Sequence, residues 1–157
     1  RVANAIREFR YRIRGEKVIE HDAVHPSITI LADDGVFGFC TFEYVEDFSQ
    51  FAAQAAHRIA HARRHPTLED EPGRDDLLFM TSIPWVSFTS LTHPMHLHPA
   101  DSVPRIAWGK FFKQGESLQM PLGVQGHHAL MDGLHIGEFY LQVEAYLRDK
   151  GIALGGG

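Results

Sequence analysis

The chain has 157 residues, of which 44% are hydrophobic, and a formal net charge of −5 at pH 7. This length suffices for one buried core and is short for two, so we expect a single domain over residues 1–157. Lysines and arginines are dispersed, which argues against nucleic acid and anionic membranes as partners. No apolar run reaches the roughly 18 residues of a membrane-spanning helix and no signal peptide is visible, so the expected location is the cytoplasm.

The first third of the chain predicts the end of a helix, at residues 2–9, followed by four strands. The strands are expected at residues 10–14, 17–20, 27–31 and 37–44. Asp33-Asp34-Gly35 is typical of the turn of a hairpin between the last two. The single cysteine, Cys40, lies in an apolar run and is predicted to be a buried packing residue.

A longer amphipathic helix is predicted after Asp47, whose carboxylate suits a helix N-cap. Its apolar residues recur at helical spacing until Pro66 ends the pattern. They are Phe48, Phe51, Ala52, Ala55, Ile59 and Ala62. The polar residues 67–76 are expected to form a surface loop. Strands follow at residues 77–82 and 86–90.

The last third predicts a hairpin and a helix. Residues 105–112 are expected to pair with residues 118–126 across Gln114-Gly115-Glu116. In the second strand apolar and polar residues alternate, so one face is buried. The final helix begins after Asp132, a possible N-cap, and carries an apolar stripe. The stripe consists of Ile136, Phe139, Tyr140, Val143 and Leu147.

The segment between that strand and that helix carries the chemistry. It is His127-His128-Ala129-Leu130-Met131-Asp132, followed by Gly133. Chance would give four such fixed positions in roughly a few per thousand chains of this length. If the pleat continues, the two histidines point to opposite faces, and one of them is expected to be catalytic. A helix cap beside two core histidines is the alternative.

Together with other segments, this His-His-x-x-x-Asp-Gly motif resembles the chloramphenicol acetyltransferase family. The segments, in the family's order, are Val24-His25-Pro26, residues 83–90, residues 109–115 and Met120-Pro121-Leu122. The resemblance covers essentially the whole chain and lacks the family's opening segment. It implies an α+β fold with a mixed, largely antiparallel sheet packed with helices. It also implies acetyl-CoA as co-substrate, a small-molecule hydroxyl acceptor, and a homotrimer with active sites between subunits.

A neutral imidazole can take the proton of an alcohol at physiological pH. The resemblance assigns this general-base role to His128. It places the hydroxyl that stabilises the oxyanion at Thr81, with Ser82 as the alternative. In the family, the residue at Asp132 forms a structural salt bridge with an arginine of the opening segment. Here that partner lies upstream, is replaced by another arginine, or gives way to a helix cap. Ala107 stands where the family often has a water-holding threonine.

The resemblance also suggests residues that bind the two substrates. Lys110 and Phe111 match positions in the coenzyme A tunnel, where a cation meets phosphate and a ring stacks on adenine. A solvated lysine and a strand phenylalanine are the alternative. The acceptor pocket is expected to include Leu91, His93 and Phe37. His93 is polar where the family prefers an aliphatic side chain, which allows an acceptor other than chloramphenicol.

Two groups of histidines raise the question of a metal site. They are His93, His96 and His98, and His57, His61 and His65. The first spacing fits no standard zinc or nickel site, and the second is typical of a solvated helix face. We therefore expect no metal cofactor.

Three functional hypotheses follow. The first is an acetyl-CoA-dependent O-acetyltransferase of the chloramphenicol acetyltransferase type. The second is another acyltransferase with the same motif, such as a dihydrolipoamide acyltransferase core. The third is a degenerate member that binds a ligand or partner without catalysis, which Ala107, His93 and the lacking opening segment favour.

Overall fold

The computed structural model describes residues 1–33, 35–68, 73–95 and 101–154. Its helices are α1 (Val2–Ala5), α2 (Phe48–Arg64) and α3 (Gly133–Leu154). Its strands are β1 (Tyr11–Arg14), β2 (Lys17–Glu20), β3 (His25–Leu31), β4 (Phe37–Thr41), β5 (Leu77–Ile83), β6 (Arg105–Gly109), β7 (Phe112–Gln114), β8 (Ser117–Gln119) and β9 (Leu122–Gln125).

Five strands form the central sheet in the order β4-β3-β5-β6-β9. The inner pairs β3–β5 and β5–β6 are parallel, whereas β4 and β9 lie antiparallel at the two edges. The ribbons β1–β2 and β7–β8 are also antiparallel. Four of the six described strand pairs are therefore antiparallel, which confirms the expected mixed, largely antiparallel α+β architecture.

Helices cover one face of this sheet. On that face Ile30 and Cys40 are buried together with Ala55 and Ala62 of α2. A second cluster joins the sheet to α1 and α3. Its buried members include Ala3, Leu78, Ile106, Met131 and Phe139. Because side chains alternate along a strand, Thr29, Thr81 and Ala107 lie on the opposite face.

Helix α2 begins as predicted, because Asp47 Oδ1 accepts the backbone N–H of Gln50 at 2.7 Å. It ends at Arg64, two residues before Pro66. Phe48, the first apolar residue of the helical pattern, is exposed. Leu147 of α3 is exposed too. Helix α3 has 22 residues and is about 33 Å long, whereas the longest strands have seven residues and are about 23 Å long, so the helix is longer than the strands of the sheet.

The predicted N-terminal helix and the strand at residues 37–44 are both shorter in the structure. α1 stops at Ala5 because Ile6 is extended, and Arg7–Arg10 forms a 3₁₀ turn. β4 ends at Thr41, and the N–H of Tyr44 donates to His25 Nδ1 instead of to a strand carbonyl. The β3–β4 hairpin is confirmed, although Asp34 lies outside the described residues.

The strand predicted at residues 86–90 is wrong. The chain turns after β5, where Val86 N–H donates back to Ile83, and Val86 O then accepts Lys110 N–H. The predicted hairpin at residues 105–126 forms, but it is divided into the pairs β6–β9 and β7–β8. Pro121, which has no N–H to donate, lies at the break.

None of the helices in the described ranges combines the length and the apolar composition of a membrane-spanning segment.

A buried arginine fastens the N-terminal ribbon to the sheet. Arg12 is fully buried, and its guanidinium donates to backbone carbonyls on either side of it. These carbonyls belong to Phe9, Tyr11, Asp75 and Leu77. Burial lowers the pKa of Arg12 to about 10, against the opposing charges of nearby aspartates, so the side chain stays protonated at neutral pH.

We predict that Arg12→Met destabilises the fold by about 3 kcal/mol, because it leaves buried carbonyls without donors. Urea denaturation followed by circular dichroism measures the effect. Arg14→Met is the matched control on the same strand. Arg14 is exposed and pairs with Asp75, so the urea midpoint of this variant should stay near that of the wild type. Equal urea midpoints for Arg12→Met and Arg14→Met would contradict this stabilising role of Arg12.

Candidate active site

The His-His motif lies in a tight turn between β9 and α3. β9 ends at Gln125, so the pleat does not continue into His127 and His128, and the expectation of opposite faces does not apply. The carbonyl of His127 accepts the N–H groups of Leu130 at 2.8 Å and Met131 at 3.1 Å. Its ring Nδ1 accepts the N–H of Ala129 at 3.2 Å. His127 is therefore engaged in shaping the turn.

His128 is the exposed member of the pair. Its Nδ1 lies 3.4 Å from the carbonyl oxygen of Met131. The tautomer that carries its proton on Nδ1 can donate to this carbonyl, which leaves Nε2 as an acceptor pointing away from it. An imidazole held in this way can remove a proton from a bound alcohol.

Met131 anchors the turn, because its side chain is buried in the cluster that joins the sheet to α1 and α3. Met131 packs so closely on Gly126 that a Cβ there would overlap the methionine side chain. Leu130 is buried as well. The position of His128 thus depends on core packing.

Asp132 caps α3. Its Oδ1 accepts the N–H of Leu134 at 2.9 Å and lies 2.9 Å from His135 Nδ1. The hydrogen bond from Leu134 is the main cause that lowers the pKa of Asp132, and the charges of His135 and His128 add to it. Among the described residues the titratable side chain that contacts the Asp132 carboxylate is His135, and no arginine pairs with it. The geometry agrees with the helix-cap alternative.

Thr81 lies half-buried on β5, in a row that crosses the sheet. It is level with Ala107 on β6, which is level with Gly123 on β9. The two positions that the resemblance links to the reaction intermediate, Thr81 and Ala107, are therefore direct neighbours. Thr81 Oγ1 lies 2.6 Å from Thr29 Oγ1. Ser82, the alternative, points to the opposite face because strand side chains alternate.

Within one chain, Thr81 and His128 are not brought together. Thr81 is two strand spacings, about 10 Å, from Gly123 across the sheet. β9 then runs about 7 Å further to Gln125 before the turn begins. Met131, three residues after His128, packs on the helix-covered face, whereas Thr81 is on the other. One chain alone therefore does not present both groups to a single carbonyl carbon.

Lys110 and Phe111 lie between β6 and β7, and both are exposed, Phe111 by 62%. The N–H of Lys110 donates to the Val86 carbonyl at 2.9 Å. That carbonyl lies 2.6 Å from the place of a Cβ on Gly109, so only glycine lets the two segments approach. The segment after β5 thus fixes the backbone at Lys110.

The expected acceptor residues are divided between the two edges of the sheet. Leu91 and His93 are half-buried, and His93 lies beside β9, where the side-chain oxygen of Gln125 accepts His93 N–H at 2.8 Å and its amide nitrogen donates to His93 O at 3.3 Å. Burial, and to a lesser extent the charge of Arg105, lower the pKa of His93 and favour its neutral form. Phe37 is 54% exposed on β4, four strand spacings or about 19 Å away. These residues do not share a pocket within one chain.

The histidines considered for a metal site do not converge in the part of the chain that the structure describes. His57, His61 and His65 are exposed on and just after α2, with the rings of the last two 4.9 Å apart. His96 and His98 lie outside the described residues. No group of three or more histidine, cysteine or acidic side chains suited to a metal occurs among the described residues.

The sequence alone does not single out Thr29 and Gln125 as site residues. Thr29 touches Thr81, and Gln125 holds the backbone of His93. Both occupy polar positions of alternating strands, which is a weak signal. Their partners are 52 and 32 residues away, so only the strand pairing reveals them.

Comparison with known proteins decides the family. The family model described as chloramphenicol acetyltransferase matches residues 1–144. The chain belongs to the chloramphenicol acetyltransferase family. This confirms the resemblance noted above and identifies the chain as an acyltransferase.

Relatives and solved structures agree with this family. A chloramphenicol acetyltransferase of Klebsiella sp is 30% identical over 147 residues, which cover 93% of this chain and 67% of the relative. A solved chloramphenicol acetyltransferase is 29% identical with a TM-score of 0.79, covering 93% of this chain and 72% of that one. The Azotobacter vinelandii dihydrolipoamide acetyltransferase is 19% identical with a TM-score of 0.71, covering 98% and 66%, and shares the fold. The chain thus has the fold of both solved structures over the parts that they match.

We predict that Asp132→Ala lowers the urea midpoint at pH 7, and that Asp132→Asn, which keeps a capping oxygen but not the charge, lowers it less. The pKa of Asp132 is lowered in the folded state, so its cap stabilises α3 above the carboxyl's ordinary pKa and is lost as pH falls through the folded value. The difference in urea midpoint between the wild type and Asp132→Ala should therefore become smaller as the pH falls from about 7 to about 3. A difference that stays constant over this range would refute the role of the ionised carboxylate.

Proposed function

We propose that the protein is an acetyl-CoA-dependent O-acetyltransferase that acetylates a hydroxyl of chloramphenicol or a related small molecule. The observation that carries the proposal is the His128 ring, exposed in the family's motif with Nδ1 facing the Met131 carbonyl. We assign residues 1–157 to one acyltransferase domain, acting in the cytoplasm without a metal cofactor.

In this reaction His128 Nε2 takes the proton of the acceptor hydroxyl while the alcohol oxygen attacks the thioester carbonyl of acetyl-CoA. A tetrahedral intermediate forms, and its collapse breaks the carbon–sulfur bond. The imidazolium returns the proton to the departing thiolate, so the products are the acetyl ester and coenzyme A. General-base catalysis of this type contributes about 10²–10⁴ in rate.

The oxyanion of the intermediate needs a hydrogen-bond donor, and Thr81 supplies the hydroxyl. A donor of this kind is worth roughly 10²–10³ in turnover. Its half-buried place beside Ala107 shields it partly from water, which strengthens such a bond. Asp132 contributes indirectly, because its cap holds the start of α3 next to the turn that carries His128.

We place coenzyme A against Lys110 and Phe111, whose exposed side chains can meet phosphate and adenine. The acceptor binds near Leu91 and His93. A neutral His93 can exchange hydrogen bonds with a polar acceptor, which an aliphatic side chain at this position would not do. Phe37 closes the pocket from a neighbouring copy of the chain.

We propose a homotrimer in which each active site combines two copies. Thr81 and His128 are separated within one chain, and so are Phe37 and His93, which supports completion of the site by a neighbour. Large apolar side chains also remain uncovered in the single chain, among them Trp85 at 72% and Leu118 at 66% exposure. Exposed apolar side chains of this size are available to an interface with another copy.

We predict that His128→Ala lowers acetyl transfer by about 10²–10⁴ while the assembly keeps its mass, since the exposed ring contributes little to packing. Thiol release from acetyl-CoA with chloramphenicol and other small alcohols measures activity, and light scattering measures mass. His61→Ala, on the exposed face of α2, is the control and should be fully active. Full activity of His128→Ala would overturn the assignment. Ligand binding without turnover in the wild type would favour a non-catalytic member.

We further predict that mixing Thr81→Val and His128→Ala subunits restores activity that neither variant has alone. If each site takes its histidine from one copy and its threonine from the next, equal mixing makes about a quarter of the sites intact. The subunits are unfolded together, refolded together and assayed by thiol release. Separately refolded variants, combined afterwards, are the control. No recovery in co-refolded mixtures would place both residues in sites made by one copy.

A further inference from the structure

We propose that Thr29 is a positioning residue that orients the hydroxyl of Thr81 toward the oxyanion. The inference rests on the proposed function, specifically on Thr81 as the oxyanion donor. It concerns a side chain on a neighbouring strand that does not itself touch the substrate.

The contact between the two threonines is short and follows from the strand register. β3 and β5 are parallel, and the pairing of Ile28 with Met80 places Thr29 beside Thr81 on the same face of the sheet. Their Oγ1 atoms are 2.6 Å apart. This lies at the short end of the range for hydroxyl–hydroxyl hydrogen bonds, so one of the two must donate to the other.

A hydroxyl has one proton, so the direction of this bond decides what Thr81 can do. If Thr81 donates to Thr29, its only proton is used and it cannot serve an oxyanion. If Thr29 donates, the proton of Thr81 is free, and the bond that Thr81 accepts polarises its O–H. Negative charge on the intermediate favours the second arrangement, because a hydrogen bond to an anion is roughly twice as strong as a neutral one.

The other neighbours of Thr81 in its row offer no alternative donor. The row crosses the sheet as Phe39, Thr29, Thr81, Ala107 and Gly123. On the far side of Thr81, Ala107 and Gly123 have no polar side-chain atoms. Thr29 is therefore the one member of the row whose side chain can hold the hydroxyl of Thr81. Since threonine is restricted at χ1, this bond also favours one rotamer of Thr81.

The test compares Thr29→Val with Thr29→Ser in the full-length assembled protein. Valine keeps the shape and the strand preference and removes the hydroxyl, whereas serine restores it. We expect Thr29→Val to lower kcat about tenfold with the KM values for acetyl-CoA and acceptor unchanged, since one neutral hydrogen bond is lost. Thr29→Ser should recover most of kcat. Unchanged urea midpoints would show that the fold is intact, and Thr29→Ala serves if the valine variant is unstable.

A double-mutant cycle separates positioning from an independent effect. If Thr29 acts through Thr81, adding Thr29→Val to Thr81→Val should cause no further loss of kcat. Additive losses, a change in KM alone, or wild-type kcat in Thr29→Val would overturn the inference. A fully active Thr81→Val would reject the inference and leave the role of His128 standing. Absence of any acetyl transfer by the wild type would instead reject the proposed function and, with it, this role of Thr29.

Discussion

The register between β3, β5 and β6 is the constraint on which the candidate site depends. It places Thr29, Thr81 and Ala107 side by side, and a slip by one residue would turn all of them toward the helices. Such a slip would also expose Ile28, Leu78 and Ile106, so the hydrophobic core that supports α2 and α3 opposes it. Burial on one face therefore maintains the polar arrangement on the other.

Local signals explain which parts of this arrangement could be predicted from sequence. Asp47 and Asp132 act on N–H groups two or three residues away, and both caps were predicted. The family motif at His127 and His128 is also contiguous, and together with other short segments it suggested the family. The edge pairs β3–β4 and β6–β9 join strands that are close in the chain, and their hairpins were predicted as well.

The rest depends on contacts that no local pattern encodes. The parallel pairs β3–β5 and β5–β6 join distant segments, so the contact of Thr29 with Thr81 could not be foreseen. In the segment after β5, apolar and polar residues alternate as in a strand. In the structure this segment instead packs against β6, because the Val86 carbonyl closely approaches Gly109. Its conformation is determined by that tertiary contact and not by its own propensity.

In the proposed trimer, the two chemical functions are carried by different parts of the fold. The base is on a turn held by Met131 in the helix-side core, and the oxyanion donor is on the opposite face of the sheet. Rearrangement within a single chain would have to disrupt that core to bring them together. Association of rigid copies brings the base and the donor together without disrupting the core. The relative position of base and donor then depends on the subunit interface. Catalysis would then be sensitive to interface packing even where no interface residue contacts a substrate.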